Sequence, residues 1–181
     1  QVDGYKLSIL EDQIKTINKI CLLNGAGNIA IARTDKQKNK IWHIRKSISE
    51  SLRSISHKKI SQDIVVPLHM IKPYLLTIRK IGLKIGLKIL GYGHLGDGNI
   101  HVNILKLDSN LKDWEKQSQL AIKQVFETAV KMGGTITGEH GIGLSKKDYM
   151  HLIFSKNEID IFHHIKNAFD PENLLNPGKI L

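Results

Sequence analysis

Two histidines on either side of an Asp-Gly pair are the first residues in this sequence that could perform chemistry. Residues 91–103 read GYGHLGDGNIHVN, and Asp97-Gly98 is a strong signal for a two-residue β-hairpin loop. With that loop, the register places His94 directly opposite His101, where Cβ atoms are about 4.5–5.5 Å apart. Two imidazoles at that separation can jointly hold a divalent metal ion.

Side chains alternate along a strand, so the hairpin has two chemically different faces. One face is polar and includes both histidines, and the other face is apolar and predicts a core. The polar face comprises Tyr92, His94, Asn99, His101 and Asn103. The core face comprises Gly93, Leu95, Ile100, Val102 and Ile104.

A paired histidine motif has an ordinary alternative interpretation. His94 and His101 could form a solvated cross-strand pair, and their spacing is wider than that of the common zinc motifs. A metal site therefore needs a third ligand from elsewhere in the chain.

A glycine-rich loop later in the chain offers that ligand. Residues 133–143 read GGTITGEHGIG, with Glu139 and His140 in the middle. The glycines indicate unusual backbone angles or the close approach of another group. Two histidines and one carboxylate with an open position form a common catalytic arrangement for zinc or a redox metal. His140, next to Glu139, would then be available to move protons near neutral pH, although solvated Glu-His pairs are also common in loops.

A third candidate lies on a predicted helix. Arg45 follows Trp42 on a helix that begins at Asp35 and runs to about Ser56. An arginine fork suits the recognition of a substrate carboxylate, and an ordinary surface arginine is the competing interpretation.

The predicted elements that position these residues alternate between strands and helices. Strands are predicted at residues 5–10, 29–32 and 60–66 and at the hairpin, and the longer helices at residues 11–24, 35–56, 71–81 and 113–132. This order predicts an α+β fold, in which helices pack on one face of an antiparallel sheet. Short helices and a turn are expected over the last 40 or so residues.

Composition limits the partners. The 181 residues carry a formal net charge of +10, with 41% hydrophobic and 24% charged residues. Because the lysines are scattered and aromatics make only 6%, we expect no nucleic-acid binding, and an acidic substrate suits the charge as well.

With Cys21 as its single cysteine the chain has no disulfide framework, which is compatible with a cytoplasmic location. No apolar run predicts a membrane span, and peripheral membrane association stays open. The chain begins with Gln1, so we expect a piece of a longer protein.

Four stretches together resemble a known family. These are GHLGDGNIHVN, TGEHGIG, the WxxR of Trp42–Arg45, and FDPENLLNPGK near the C-terminus. In combination they are similar to the C-terminal domain of FAD-linked oxidases of the vanillyl-alcohol oxidase type, in the group that oxidises D-2-hydroxy acids such as lactate, glycolate and 2-hydroxyglutarate. The resemblance covers nearly the whole chain.

The resemblance implies a role for each matching residue. His94, His101 and Glu139 match the metal ligands, with zinc or manganese as the metal, and His140 matches the catalytic base. Substrate-binding positions are matched by Arg45, Asn103 and Ser49, and Asn176 lies in the tail that in relatives returns toward the flavin. It further implies an α+β cap domain with ferredoxin-like elements over about residues 1–143 and a helical tail over about residues 144–181.

The resemblance also implies a flavin reaction in which the α-hydroxyl is deprotonated and hydride passes to FAD, giving a 2-oxo acid. The FAD-binding domain is expected in cis or in trans, because no dinucleotide fingerprint is present here. Some relatives carry a substrate-binding lysine two residues before Asp63, where this chain has Ser61. A substrate with one carboxylate, of the lactate or glycolate type, is therefore favoured.

Two competing functions stay open at this point. The chain could be a non-catalytic remnant or a subunit that only binds a flavin-carrying partner, and redox activity of the isolated chain is not expected in any case. A basic nucleic-acid-binding module is the more remote alternative, which steeply salt-dependent DNA binding would support. The oligomeric state is not predicted.

Overall fold

A computed structural model describes residues 2–181, in which the chain forms two units, Gln1–Ser49 and Glu50–Leu181. The first unit contains α1 (Leu7–Leu23) and most of α2 (Asp35–Ser54). None of the described residues of these two helices is buried. Within this unit, an ion pair joins Arg33 to Glu11 at 3.6 Å.

The two strands predicted in the first unit are wrong. Residues 7–10 belong to α1, and residues 29–32 form no strand in the described part of the chain. The reason for the first error lies in the spacing of the apolar residues. Their helical period of three and four residues extends back to Leu7, so the apparent strand is the first turn of the helix. The apolar members are Leu7, Leu10, Ile14, Ile17 and Cys21.

A three-stranded antiparallel sheet forms the centre of the second unit. Its strands are β1 (Lys58–Val65), β2 (Lys88–His94) and β3 (Asn99–Lys106), in the spatial order β1-β3-β2. A short 3-10 helix (Leu68–Met70) and α3 (Ile71–Ile85) connect β1 to β2, and α4 (Trp114–Lys131) follows β3. The predicted α+β class is confirmed, and this β-α-β-β-α order is a split βαβ arrangement with β3 inserted between two parallel strands.

The core lies between the sheet and the two helices α3 and α4. Alternate residues of all three strands point into it, and Tyr74 of α3 donates its hydroxyl to the carbonyl oxygen of Val125 on α4, at 3.3 Å. The largest fully buried apolar side chains are Tyr74, Phe126, Ile64, Ile78, Ile104, Leu105, Ile136, Val66, Val102 and Val125. Because side chains alternate along each strand, Asp63, His101 and Asn103 share the opposite face of the sheet.

The predicted register of the hairpin is wrong by two residues. His94 pairs with Asn99, and His101 pairs with Tyr92. The loop therefore has four residues, closed by the Gly98 N–H donating to the His94 carbonyl at 3.2 Å. The Gly98 carbonyl in turn accepts from the N–H of Val66, which ties the loop to the end of β1. This contact between the loop and the residue after β1 could not be inferred from the local Asp-Gly signal.

One consequence of the four-residue loop concerns the core face. Leu95, which was expected on that face, lies in the loop and is exposed, whereas Ile100, Val102 and Ile104 are buried as predicted. The division into polar and apolar faces survives, because the register moves by an even number of positions and side-chain direction has a period of two.

The last part of the second unit is helical. A 3-10 helix (Lys147–Leu152) precedes α5 (Lys156–Phe169), which begins with a capping box formed by Ser155 and Glu158. After α5 the tail turns back, and Ile180 donates its N–H to the carbonyl oxygen of Gly143 at 3.2 Å. Its expected return to a FAD-binding domain, and the division near residue 143, stay predictions. No helix within residues 2–181 is both long and apolar enough to cross a membrane.

Candidate metal centre

Strands β2 and β3 place both predicted histidines on the polar face of the sheet. The Nε2 atoms of His94 and His101 lie 3.4 Å apart, with the rings nearly perpendicular at 84°. The two residues are diagonal neighbours rather than a directly opposed pair, and long side chains still meet across a diagonal. Tyr92 packs beside His101 with a ring-centroid distance of 5.7 Å.

The glycine-rich loop after α4 reaches the same face because it is attached to β1. Thr135 and Val65 exchange two backbone hydrogen bonds, of 2.9 and 3.2 Å, in an isolated antiparallel bridge. The neighbouring position must be glycine, since a Cβ on Gly134 would lie 2.1 Å from the carbonyl oxygen of Val65. The bridge thus directs the following residues across the polar face, and Glu139 arrives beside the histidines.

His94, His101 and Glu139 form a group that could hold a metal ion. Glu139 Oε1 lies 3.2 Å from His101 Nε2 and 3.8 Å from His94 Nε2. These separations fit a shared ion, because ligand atoms bound to zinc at about 2.0–2.1 Å in tetrahedral geometry lie about 3.4 Å apart. The donor set of two imidazoles and one carboxylate, with its partly exposed side, also suits a catalytic metal with an open position.

His101 is the most enclosed of the three. Its side chain is 12% exposed, against 37% for His94 and 50% for Glu139. Burial lowers the pKa of His101, and the neighbouring His94 and His140 act in the same direction, while Glu139 opposes them. A lowered pKa favours the neutral imidazole, which is the form that binds a metal.

His140 lies next to this group and is the most exposed of the four residues. Its Nε2 is 3.5 Å from Glu139 Oε1, and its Nδ1 is 3.5 Å from Asp63 Oδ1. Its ring stacks on that of His101 at 5.5 Å and 23°. An imidazole with one nitrogen facing a carboxylate and an exposed ring can accept a proton from a bound molecule.

Asp63 is a site residue to which the sequence alone assigned no role. Its carboxylate is buried on β1 and lies in register with His101. Its Oδ2 accepts the backbone N–H groups of Gly138, Glu139 and His140, at 2.7, 2.7 and 3.0 Å. Burial by itself raises the pKa of this carboxyl, but hydrogen bonds from Lys146 and from the three N–H groups overcome burial and lower it.

Lys146 is the second residue that sequence reasoning missed. Its Nζ donates to Asp63 Oδ1 and, at 3.1 Å, to the Asp63 carbonyl oxygen, and its side chain is 3% exposed. Lys146 follows a glycine-rich loop and directly precedes Lys147, so in the sequence it resembles many surface lysines. A signal was nevertheless available at Asp63, because a charged residue directly before the apolar sequence IVV, within a predicted strand, needs a partner if it is buried.

Two asparagines complete the polar face. Asn103 is fully buried and donates its side-chain N–H to the carbonyl oxygen of His101 at 2.9 Å. Asn99 is also buried and packs against the backbone of Gly138. The side-chain oxygens of both asparagines accept no hydrogen bond from the described residues. Buried amide oxygens without a donor are costly, so a bound group that donates to them would be favoured.

The remaining predicted residues lie on other elements. Arg45 and Ser49 are on α2 within the first unit, and Arg45 is exposed. Asn176 is exposed in the tail of the second unit, with a positive φ of 51°. Their assignments to substrate and flavin binding stay predictions.

The fold and this side-chain group define an α+β domain with a candidate metal centre on the open face of its sheet. Comparison with known proteins identifies the family. Residues 1–180 match the family model described as FAD linked oxidases, C-terminal domain. The chain belongs to this family.

Individual relatives are similar over most of this chain. Over 94% of its own length, this chain is 34% identical to the glycolate oxidase subunit GlcD of Bacillus subtilis. Over 98% of its own length, it is 32% identical to a D-lactate dehydrogenase of Anaerostipes hadrus. A D-2-hydroxyglutarate dehydrogenase of Stutzerimonas stutzeri is 37% identical over 83% of the chain. The matches cover only 36%, 38% and 32% of those relatives, respectively.

Proposed function

We propose that this chain is the substrate- and metal-binding domain of a flavin-dependent enzyme that oxidises a D-2-hydroxy acid to the 2-oxo acid. Family membership and the printed activities of the relatives support the class of reaction. The observation that carries the proposal is the arrangement of His94, His101 and Glu139 around one point, with His140 beside them.

The metal ligands are His94, His101 and Glu139, and zinc or manganese is the proposed ion. A divalent cation bound there would supply Lewis acidity that lowers the pKa of a substrate hydroxyl. The exposed side of the group leaves room for an α-hydroxy acid, since Glu139 and His94 are both partly exposed.

His140 is the proposed base. Its exposed ring takes the proton of the α-hydroxyl, while Asp63 near its Nδ1 stabilises the imidazolium that results. Asn103 belongs to the polar face on which the substrate would lie. Arg45 neutralises the substrate carboxylate, and Ser49 supplies a hydroxyl on the same helix.

A monocarboxylate of the lactate or glycolate type is the proposed substrate. Ser61 lies in register with Asn103, so it is on the polar face of the sheet and is exposed there. At this position the chain has a hydroxyl, which lacks the charge that would pair with a second carboxylate. FAD, bound mainly by a domain outside this chain, would supply the hydride-accepting chemistry, and Asn176 is the proposed flavin-binding residue of the tail.

The metal content of the purified chain tests the proposal. We expect about one zinc or manganese ion per chain by elemental analysis, and its loss in His101→Ala. His164→Ala is the matched control, because His164 is an exposed histidine on α5 and its loss should leave the metal content unchanged.

An equal metal content in His101→Ala and the parent chain would refute the ligand assignment. Absence of metal from the parent chain, even after incubation with zinc or manganese, would favour the alternative that the chain is a non-catalytic remnant or a partner-binding subunit.

A further inference from the structure

The loop that carries Glu139 and His140 is fixed to the sheet by one buried carboxylate. Asp63 is fully buried, and a buried carboxylate costs several kcal/mol unless charges and hydrogen bonds compensate for its lost hydration. In this chain the compensation comes from the loop itself. This suggests that the carboxylate does more than stabilise the core.

Three consecutive backbone N–H groups converge on a single oxygen of Asp63. They belong to Gly138, Glu139 and His140, and the three hydrogen bonds are 3.0 Å or shorter. Successive N–H groups that point inward form an anion-binding concavity. Here the concavity holds a side chain of the same protein, so the backbone of the proposed ligand and of the proposed base is fixed at one point.

Lys146 fixes the other end of the same loop. Its ammonium group contacts both the carboxylate and the carbonyl oxygen of Asp63. A further bond within the loop, from the Thr137 hydroxyl to the Gly141 carbonyl at 3.1 Å, holds the segment in a tight turn. The segment 138–146 is therefore hydrogen-bonded to Asp63 at both of its ends.

The register of the sheet connects this anchor to the metal ligands. Asp63 on β1 pairs with His101 on β3, so the residue that holds the loop lies opposite the most enclosed ligand. The separation of 3.2 Å between Glu139 Oε1 and His101 Nε2 depends on this arrangement, because Glu139 is attached to the sheet through its backbone N–H.

We propose that Asp63 and Lys146 are positioning residues, which place Glu139 for metal binding and His140 for proton transfer. This inference rests on the proposed function for the roles of those two residues. Both residues act on Glu139 and His140 through the loop backbone, and Asp63 also faces the His140 ring, but neither needs contact with substrate or metal.

A second ion pair in the chain provides a matched control. Asp170, near the end of α5, is also buried, contacts Lys166, and accepts the N–H groups of Leu174 and Leu175 at 2.8 and 2.9 Å. It is likewise a buried carboxylate that pairs with a lysine and accepts backbone N–H groups, but the backbone that it holds belongs to the tail and carries neither Glu139 nor His140.

The test compares Asp63→Asn with Asp170→Asn in the full chain, at a temperature where circular dichroism shows both variants folded. The first measurement is the affinity for Zn²⁺ or Co²⁺ in competition with a chelator, together with the visible absorption of bound Co²⁺, which reports its coordination geometry. The second is the exchange rate of the amide protons of Gly138, Glu139 and His140 in metal-free protein.

For Asp63→Asn we expect metal affinity to fall at least tenfold, the Co²⁺ spectrum to change, and the three amide protons to exchange at least tenfold faster. For Asp170→Asn we expect affinity and loop exchange within threefold of the parent chain. If Asp63→Asn does not fold, Lys146→Gln is measured instead, with effects in the same direction.

Unchanged exchange of the three amide protons in a folded variant would overturn the positioning role. So would unchanged metal affinity, or an equal loss of affinity in Asp170→Asn. If the parent chain binds neither metal, the proposed function loses its metal centre, and the exchange measurement alone then decides whether Asp63 fixes the loop.

Discussion

The buried pair of Asp63 and Lys146 makes a quantitative prediction about stability. Replacing Asp63 by Asn leaves the Lys146 ammonium buried without its counter-charge, and breaking one partner of a buried pair costs about 3–5 kcal/mol. For a chain of this size, each kcal/mol lowers the melting temperature by about 2–4 °C. We therefore expect Asp63→Asn to melt about 6–20 °C below the parent chain at pH 7.

A double-mutant cycle measures the interaction energy between Asp63 and Lys146 apart from their other contacts. Lys146→Met removes the ammonium while roughly keeping the volume, so the double variant contains no unpaired buried charge. We expect the double variant to be more stable than the sum of the two single losses predicts, by about 1–3 kcal/mol. The free energy of unfolding from urea titration monitored by circular dichroism gives each corner of the cycle.

The pH dependence has a definite sign. The pKa of Asp63 is lower in the folded chain than in the unfolded chain, where it is about 4. Ionised Asp63 therefore contributes its full amount to the free energy of unfolding above pH 4, and this contribution is lost as the pH falls toward the pKa of the folded chain. Between pH 7 and pH 3 the parent chain should lose about 1 kcal/mol from this residue alone. The difference in the free energy of unfolding between the parent chain and Asp63→Asn should decrease by that amount.

Two results would refute this reasoning about the pair. One is additivity of the two single substitutions within about 0.5 kcal/mol, since independent sites add to that precision. The other is a difference in the free energy of unfolding between the parent chain and Asp63→Asn that stays constant from pH 7 to pH 3.

Two further predictions concern the loop. In an enzyme that joins this chain to its FAD-binding domain, His140→Ala should keep the metal and lose about 10²–10⁴-fold in kcat, because a general base contributes about that much; full activity would exclude His140 as the base. Gly138→Ala should destabilise the chain by about 1–3 kcal/mol and weaken metal binding, because its Cβ would lie 2.8 Å from the buried side chain of Asn99; a melting temperature and metal affinity equal to those of the parent chain would contradict this packing.

The local parts of the fold could be predicted because their signals are local. The apolar period of α4 and the glycines that follow it located a helix and a loop within about two residues of their positions in the structure. The alternation along β3 identified its polar and apolar faces correctly. At residues 5–10 the same kind of signal failed, because a short apolar alternation also fits the first turn of a helix.

The hairpin shows how a local signal is modified by a distant contact. Asp97-Gly98 does form part of the turn, and Gly98 has the positive φ of 77° that the signal implies. The loop has four residues, and its Gly98 carbonyl accepts a hydrogen bond from the N–H of Val66 after β1. His94 and His101 are consequently diagonal neighbours, and they still approach within 3.4 Å because both remain on one face.

The sequence by itself determined the identity of the family and the residues that could hold a metal, because these depend on motifs and on side-chain alternation within short segments. Only the tertiary structure decided how those segments meet. Asp63 and Gly138 are 75 positions apart, and Asp63 and Lys146 are 83 positions apart. No local pattern pairs residues over such distances. These contacts form because α4 packs against the sheet and the chain after it pairs with the end of β1. The loop that carries Glu139 and His140 then lies beside the histidines of the hairpin.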